Sequence, residues 1–176
     1  MMIIYINMKL SQEIRGSGLA YGASIHHSIA DNKLTLDLFK ASKMKEAFIM
    51  AEEIIENHVE NDNEWDANLV DSAKGQLIHD LIAYEAVPQS LASTSFDNYM
   101  LGRDVFYNRN LVNSARKVTL PALIKMAREF LPFLLKTDVA QTAIVCNPSK
   151  VQSIVQSFKR IGVNLTSYES IDAIFV

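Results

Sequence analysis

The chain of 176 residues holds one cysteine, four prolines and six glycines, and no stretch approaching the roughly 20 apolar residues that a membrane-spanning helix needs. Each shortage excludes something. The single cysteine, Cys146, rules out an intrachain disulfide framework and fits a reducing compartment; set in an apolar run, it reads as a small buried hydrophobe. No run of Lys and Arg occurs and the net charge is −3, so the clustered cations with which a nucleic-acid binder displaces counterions are missing. The opening Met1–Ile6 is apolar, yet it has no basic flank and no small-residue cleavage site, and Lys9 follows soon after, which is not the pattern of a signal peptide. These features lead to an expectation of a cytoplasmic location, with the mitochondrion as alternative, and of neither a membrane nor a nucleic-acid partner.

Metal and nucleophile chemistry is also thin. The four histidines are His26, His27, His58 and His79, and none of them opens an H-x-x-E-H zinc motif. His26 and His27 are adjacent, so on a strand they point to opposite faces. His58 and His79 fall on separate helices without a second His or carboxylate placed for a helical zinc site; Asp62, four residues after His58, makes only a lone pair. No metal ligand set is therefore expected in this chain. No Ser-His-Asp or Cys-His arrangement can be assembled, and Tyr21-Gly22-Ala23-Ser24 lacks the G-x-S-x-G elbow. Glu52, Glu53 and Glu56 read as a solvated helix face.

What is present is an ordinary globular composition, 49% hydrophobic and 21% charged, consistent with one domain over residues 1–176. Residues 4–14 read as a helix leading to Arg15. Residues 19–27 and 33–40 read as strands, with Leu34, Leu36 and Leu38 alternating against Lys33, Thr35 and Asp37, and Ala30-Asp31-Asn32 supplies the turn of a β-hairpin. Met44, Ala47, Phe48, Ala51, Ile54, Ile55 and His58 step by threes and fours along a helix that ends at the acidic stretch 60–64. A second helix follows from about 64 to 87, with Val70, Ala73, Leu77, Leu81 and Tyr84 on one side and Pro88 ending it. Residues 93–102 and 105–116 read as helices whose Phe96, Tyr99, Met100, Phe106, Tyr107 and Leu111 have core-like spacing. Thr119 and Pro121 open another helix, to Leu131. Residues 141–146 read as a strand, Asn147-Pro148-Ser149 caps a helix through Arg160 with Gly162 just past its end, and residues 164–168 read as a last strand. The order predicts an α+β fold, an antiparallel-rich sheet with helices packed on one side.

The stretch from Ile14 to Ile25 concentrates chemistry. Gly16, Gly18 and Gly22 lie within seven residues, where glycine serves a positive φ or a close backbone approach, and they flank Arg15 and Tyr21. Arg brings a permanently charged planar fork of donors and Tyr a phenol that can donate to a carbonyl or an oxyanion. Taken singly, Arg15 is equally a cation at a helix C-terminus and Tyr21 a half-buried strand aromatic; together, with the glycines, they form a candidate grip on a peptide carbonyl.

This segment, Arg15 through Ile25, resembles the substrate motif in the second half of the inverzincin zinc peptidases, the pitrilysin and insulinase family, and most closely its presequence-protease-like branch. The resemblance extends more weakly through 73–88 and 147–162. It implies a partial metallopeptidase-type α/β roll, here a C-terminal portion without its first strands. It further implies a zinc-dependent endopeptidase acting on unfolded peptides, with the zinc held by an N-terminal segment carrying H-x-x-E-H. In that reading Tyr21 is catalytic, Arg15, Tyr21 and Gly22 bind substrate, and this chain alone binds no zinc and hydrolyses nothing. Its partners would be the peptide substrate, the N-terminal part of the enzyme and, through uncovered apolar surface, other copies of itself. A non-catalytic scaffold or core subunit of the same fold is the alternative that the resemblance leaves open.

Overall fold

The computed structural model of the chain describes residues 1–28, 31–136, 139–170 and 173. Among the described residues the fold is mixed and mostly helical, with seven α-helices and one two-stranded antiparallel sheet. Two compact units emerge, Met1–Lys9 with Ile55–Leu131, and Leu10–Ile54 with Pro132–Val176. No helix among the described residues is long and apolar enough to cross a membrane.

Helix α1 (Met2–Leu10) belongs, up to Lys9, to the helical unit; from Leu10 the chain enters the unit containing the hairpin, where a π-helical turn, Ser11–Arg15, packs against strand β1 (Ala20–Ser28). Strand β2 (Lys33–Ala41) pairs antiparallel with β1, from Ser28 opposite Lys33 at the turn to Ala20 opposite Ala41 at the base. Of the expected turn, Ala30 lies outside the described residues; Asn32 takes φ 49°, a left-handed conformation its short polar side chain tolerates. Helix α2 (Met44–Glu60), which leaves this unit after Ile54, follows the expected stripe closely: Ala47, Ala51, Ile55 and His58 are buried while Glu53 and Glu56 face solvent. Helix α7 (Val151–Lys159) is preceded by the turn Pro148–Lys150, where the Asn147 side chain accepts from the Ser149 amide at 3.0 Å. Gly162, at φ 84°, ends the helix: its N–H reaches Lys159 O and that of Val163 reaches Phe158 O. Phe158 and Val163 are both buried, and Phe158 meets Phe48 at a ring-centroid distance of 5.6 Å.

The other unit is helical. Its α3 (Ala67–Ala86) packs against α4 (Pro88–Met100) and α5 (Tyr107–Lys117), and α6 (Leu120–Phe130) contributes buried Leu123, Ile124 and Ala127. Tyr5 anchors this unit. Its fully buried ring stacks on Trp65 at 4.5 Å and meets His58 edge-on at 5.7 Å; its hydroxyl donates to Glu64 O at 3.2 Å and accepts from the Asp66 amide at 3.0 Å. The Asp66 carboxylate caps α3 through the Asn68 amide at 2.8 Å.

Several expectations are corrected. Residues 141–146 and 164–168 form no strand; their β-branched content has no neighbouring strand to pair with among the described residues, and composition alone does not hold an extended segment. Phe96, Tyr99 and Met100 are not core but exposed, as α4 buries none of its residues, and Phe106, just before α5, is exposed as well. Pro88 does more than end a helix. Val87 before it is extended, φ −103° and ψ 119°, as a residue preceding proline prefers, and Pro88 itself is the first residue of α4, which therefore starts five residues before the expected position. Thr119 sits at the expected cap of α6 without a capping hydrogen bond from its side chain. Cys146 is half-buried rather than enclosed.

Candidate functional site

The geometry around Arg15 and Tyr21 begins with how the helix before them ends. Gly18 adopts φ 67°; its N–H donates to Arg15 O at 3.0 Å and the Leu19 N–H donates to Ile14 O at 3.1 Å, which closes the helix and satisfies carbonyls that a helix C-terminus otherwise leaves open. The Ser42 hydroxyl lies within hydrogen-bonding distance of both Gly18 O (3.0 Å) and Leu19 O (3.1 Å), tying this ending to the residue after β2. Gly18 is thus the glycine whose backbone demands it. Gly16 is right-handed helical, and a Cβ on Gly22 would meet Phe39 Cβ at an ordinary 3.8 Å, so the expected close-approach lane is not a spatial requirement at either position.

With the helix stopped there, Arg15 sits in its last turn and Tyr21 two residues past Leu19. The structure brings the expected pair together: the Arg15 guanidinium lies 5.4 Å from the Tyr21 ring centroid, a cation–π distance. Both side chains are exposed, Tyr21 at 64%. Among the described residues neither the Tyr21 hydroxyl nor the guanidinium makes a hydrogen bond, so the donors of both are available to a ligand.

Two residues join them that sequence reading did not single out. Phe39 meets the Tyr21 ring edge-on at 6.2 Å, and Lys40 Nζ stands 5.8 Å from the Tyr21 centroid and 5.2 Å from that of Phe39. Lys40 has φ 48°, a left-handed conformation that costs a non-glycine residue on the order of 1 kcal/mol. Both strands change phase at this point. In β1, Ala23 and Ile25 are buried, and strict alternation would turn Tyr21 inward with them; instead Ala20 is buried and Tyr21 is exposed. In β2, Leu34, Leu36 and Leu38 are half-buried, yet Lys40, next in that series, faces solvent and Ala41 takes the inner place. A left-handed residue within a strand re-aims its neighbours, and here it coincides with an aromatic and a cation turned outward together. In the register Ala20 faces Ala41 and Gly22 faces Phe39, so Tyr21 and Lys40 both fall between these two pairs.

Ser24 Oγ and His26 Nε2 are 2.8 Å apart on the exposed side of β1, while His58 is buried in the other unit, where its carbonyl accepts from Trp65 Nε1 at 2.9 Å. Among the described residues no three His, Cys, Asp or Glu side chains are grouped as a metal site requires.

The chain is similar to an uncharacterized protein of Saccharomyces cerevisiae, 22% identical over 150 residues, which is 85% of this chain. The chain spans 14% of that relative's length. No family model and no solved structure matches it.

Proposed function

We propose that this chain supplies the substrate-holding portion of a zinc-dependent metalloendopeptidase that degrades unfolded peptides, within a metallopeptidase-type α/β roll completed by other segments. The observation that carries the reading is the outward-facing Arg15–Tyr21 pair, 5.4 Å from guanidinium to ring centroid, on a strained hairpin with its donors available. Likeness to a relative about six times as long is compatible with such a division of labour. In this proposal the zinc is held by a segment outside the chain.

The roles of this chain's residues follow from their chemistry. An extended peptide laid along β1 would meet the Tyr21 hydroxyl, which can donate to a carbonyl oxygen and donates more strongly as negative charge develops there. Arg15, stacked on the ring, would hold a neighbouring carbonyl, and Gly22 would leave the strand surface beside it low.

In the complete protein, Tyr21→Phe is expected to lower kcat by about 100-fold with little change in KM, since a phenol aimed at a developing oxyanion acts mainly in the transition state. Arg15→Ala should raise KM and lower kcat, and Arg15→Lys should not restore the fork geometry. Steady-state kinetics on a quenched fluorescent peptide, with variants matched to wild type in melting temperature, makes the comparison. Unchanged kinetics for both variants would remove the proposal, and a complete protein without peptidase activity would favour the non-catalytic scaffold.

A further inference from the structure

A cleft of about 690 Å³ opens between the β2–α2 junction and the segment entering α7, within the unit that carries the hairpin. Five of the chain's seventeen Lys and Arg residues line it, Lys40, Lys43, Lys45, Lys150 and Arg160, against a single carboxylate, Glu46. Among the described residues none of the five makes an ion pair, although the chain as a whole carries net negative charge. The hydroxyls on its walls already donate within the chain, Ser42 to Gly18 O and Leu19 O, Ser153 to Lys150 O and Ser157 to Ile154 O, and Asn147 Oδ1 accepts from the Ser149 amide and hydroxyl. Apart from the Asn147 side-chain N–H groups, the side-chain nitrogen donors left over are cationic, so the cleft discriminates mainly by charge. Like charges gathered along a concave surface raise the local potential and the local concentration of an anion.

Lys40 belongs to both features. It borders the cleft and stands over the Tyr21 ring, so whatever is held at Arg15 and Tyr21 has the cleft beside it. We infer that this cleft is a carboxylate-binding subsite through which the hairpin selects peptides bearing acidic side chains. The inference rests on the reading of the hairpin as a peptide-holding surface and adds the class of peptide. A nucleic acid fits less well: no aromatic residue lines the cleft for bases to stack on, and the net charge of the chain opposes a long polyanion.

Fluorescence anisotropy of the chain with two fluorescein-labelled peptides of equal length, one alternating Ala and Glu and the other Ala and Gln, tests this directly. The Glu peptide should bind about tenfold tighter, and the advantage should shrink as added salt screens exposed charges. The combined variant Lys43→Gln, Lys150→Gln, Arg160→Gln, folded by circular dichroism, should bind the two peptides equally, whereas Lys74→Gln in the other unit should keep the preference. Equal binding of both peptides by the wild-type chain overturns the carboxylate subsite and leaves the peptide-holding reading intact; no binding of either overturns both. Displacement of the Glu peptide by inorganic phosphate at matched concentration, or tighter binding of a labelled single-stranded oligonucleotide, would assign the cleft to another anion and also overturn the inference.

Discussion

Tyr5 shows how much a single side chain can organise without announcing itself, for in the sequence it is one member of an apolar opening run. Its burial between Trp65 and His58, and its paired bonds to Glu64 O and the Asp66 amide, depend on residues some sixty positions away that no local pattern connects to it. Burial foremost, aided by the nearby Asp66 and Glu64 charges, raises its phenol above the ordinary tyrosine value. A folded-state pKa above the unfolded one means that the folded chain keeps its proton longer. That stabilisation is complete below about pH 10 and is lost as pH climbs through the folded value. Tyr5→Phe should therefore cost about 1–3 kcal/mol near neutrality, since it leaves the Glu64 carbonyl and the Asp66 amide without their partner, and should flatten the alkaline fall in stability. Urea titrations from pH 7 to 11 would show it; parallel curves for the two proteins would mean that Tyr5 does not govern the alkaline limb. The same contrast in range holds at the candidate site. Arg15 and Tyr21 stood out through their glycines, but Phe39 and Lys40 enter only through strand register.

Among the elements, helices whose apolar residues form one stripe were legible, and α2 is the clearest case, from Ala47 to His58. Helix endings were legible where glycine supplies a left-handed residue, as at Gly162. Segments that needed a partner elsewhere were not: residues 141–146 have strand-like composition but, among the described residues, no strand beside them. Gly18 and Gly16 make a direct comparison within one turn. Gly18→Ala should destabilise the chain by about 1 kcal/mol, because an L side chain is strained at φ 67°, and it should loosen the placement of Arg15 over Tyr21. Gly16→Ala, at φ −59° with open space around its Cβ, should be neutral or slightly stabilising. Thermal melts of the two variants separate these outcomes, and equal losses would mean that helix propensity, not the left-handed ending, sets the stability here.

At the scale of the whole molecule, the helical unit leaves apolar side chains in the open: Tyr84, Phe96, Tyr99, Met100 and Phe106 are each more than half exposed. Apolar surface gathered in this way promotes association, so light scattering at rising concentration should detect species larger than one chain. The double substitution Phe96→Ser, Tyr99→Ser should shift them toward the monomer; a wild-type chain that scatters as a monomer throughout would refute the expectation. The hairpin poses a different hazard. Its sheet has two strands and, among the described residues, no third, so each outer rim of backbone donors and acceptors is a template on which another strand could grow. The left-handed turn of the chain at Lys40 bends that template and places a cation on it, two devices that frustrate the stacking of straight, uncharged strands into fibrils. Lys40→Val removes the charge and favours a straight β2, and should make the hairpin seed thioflavin-positive aggregates; the feature that turns Tyr21 outward would then also be what keeps the chain from polymerising on itself.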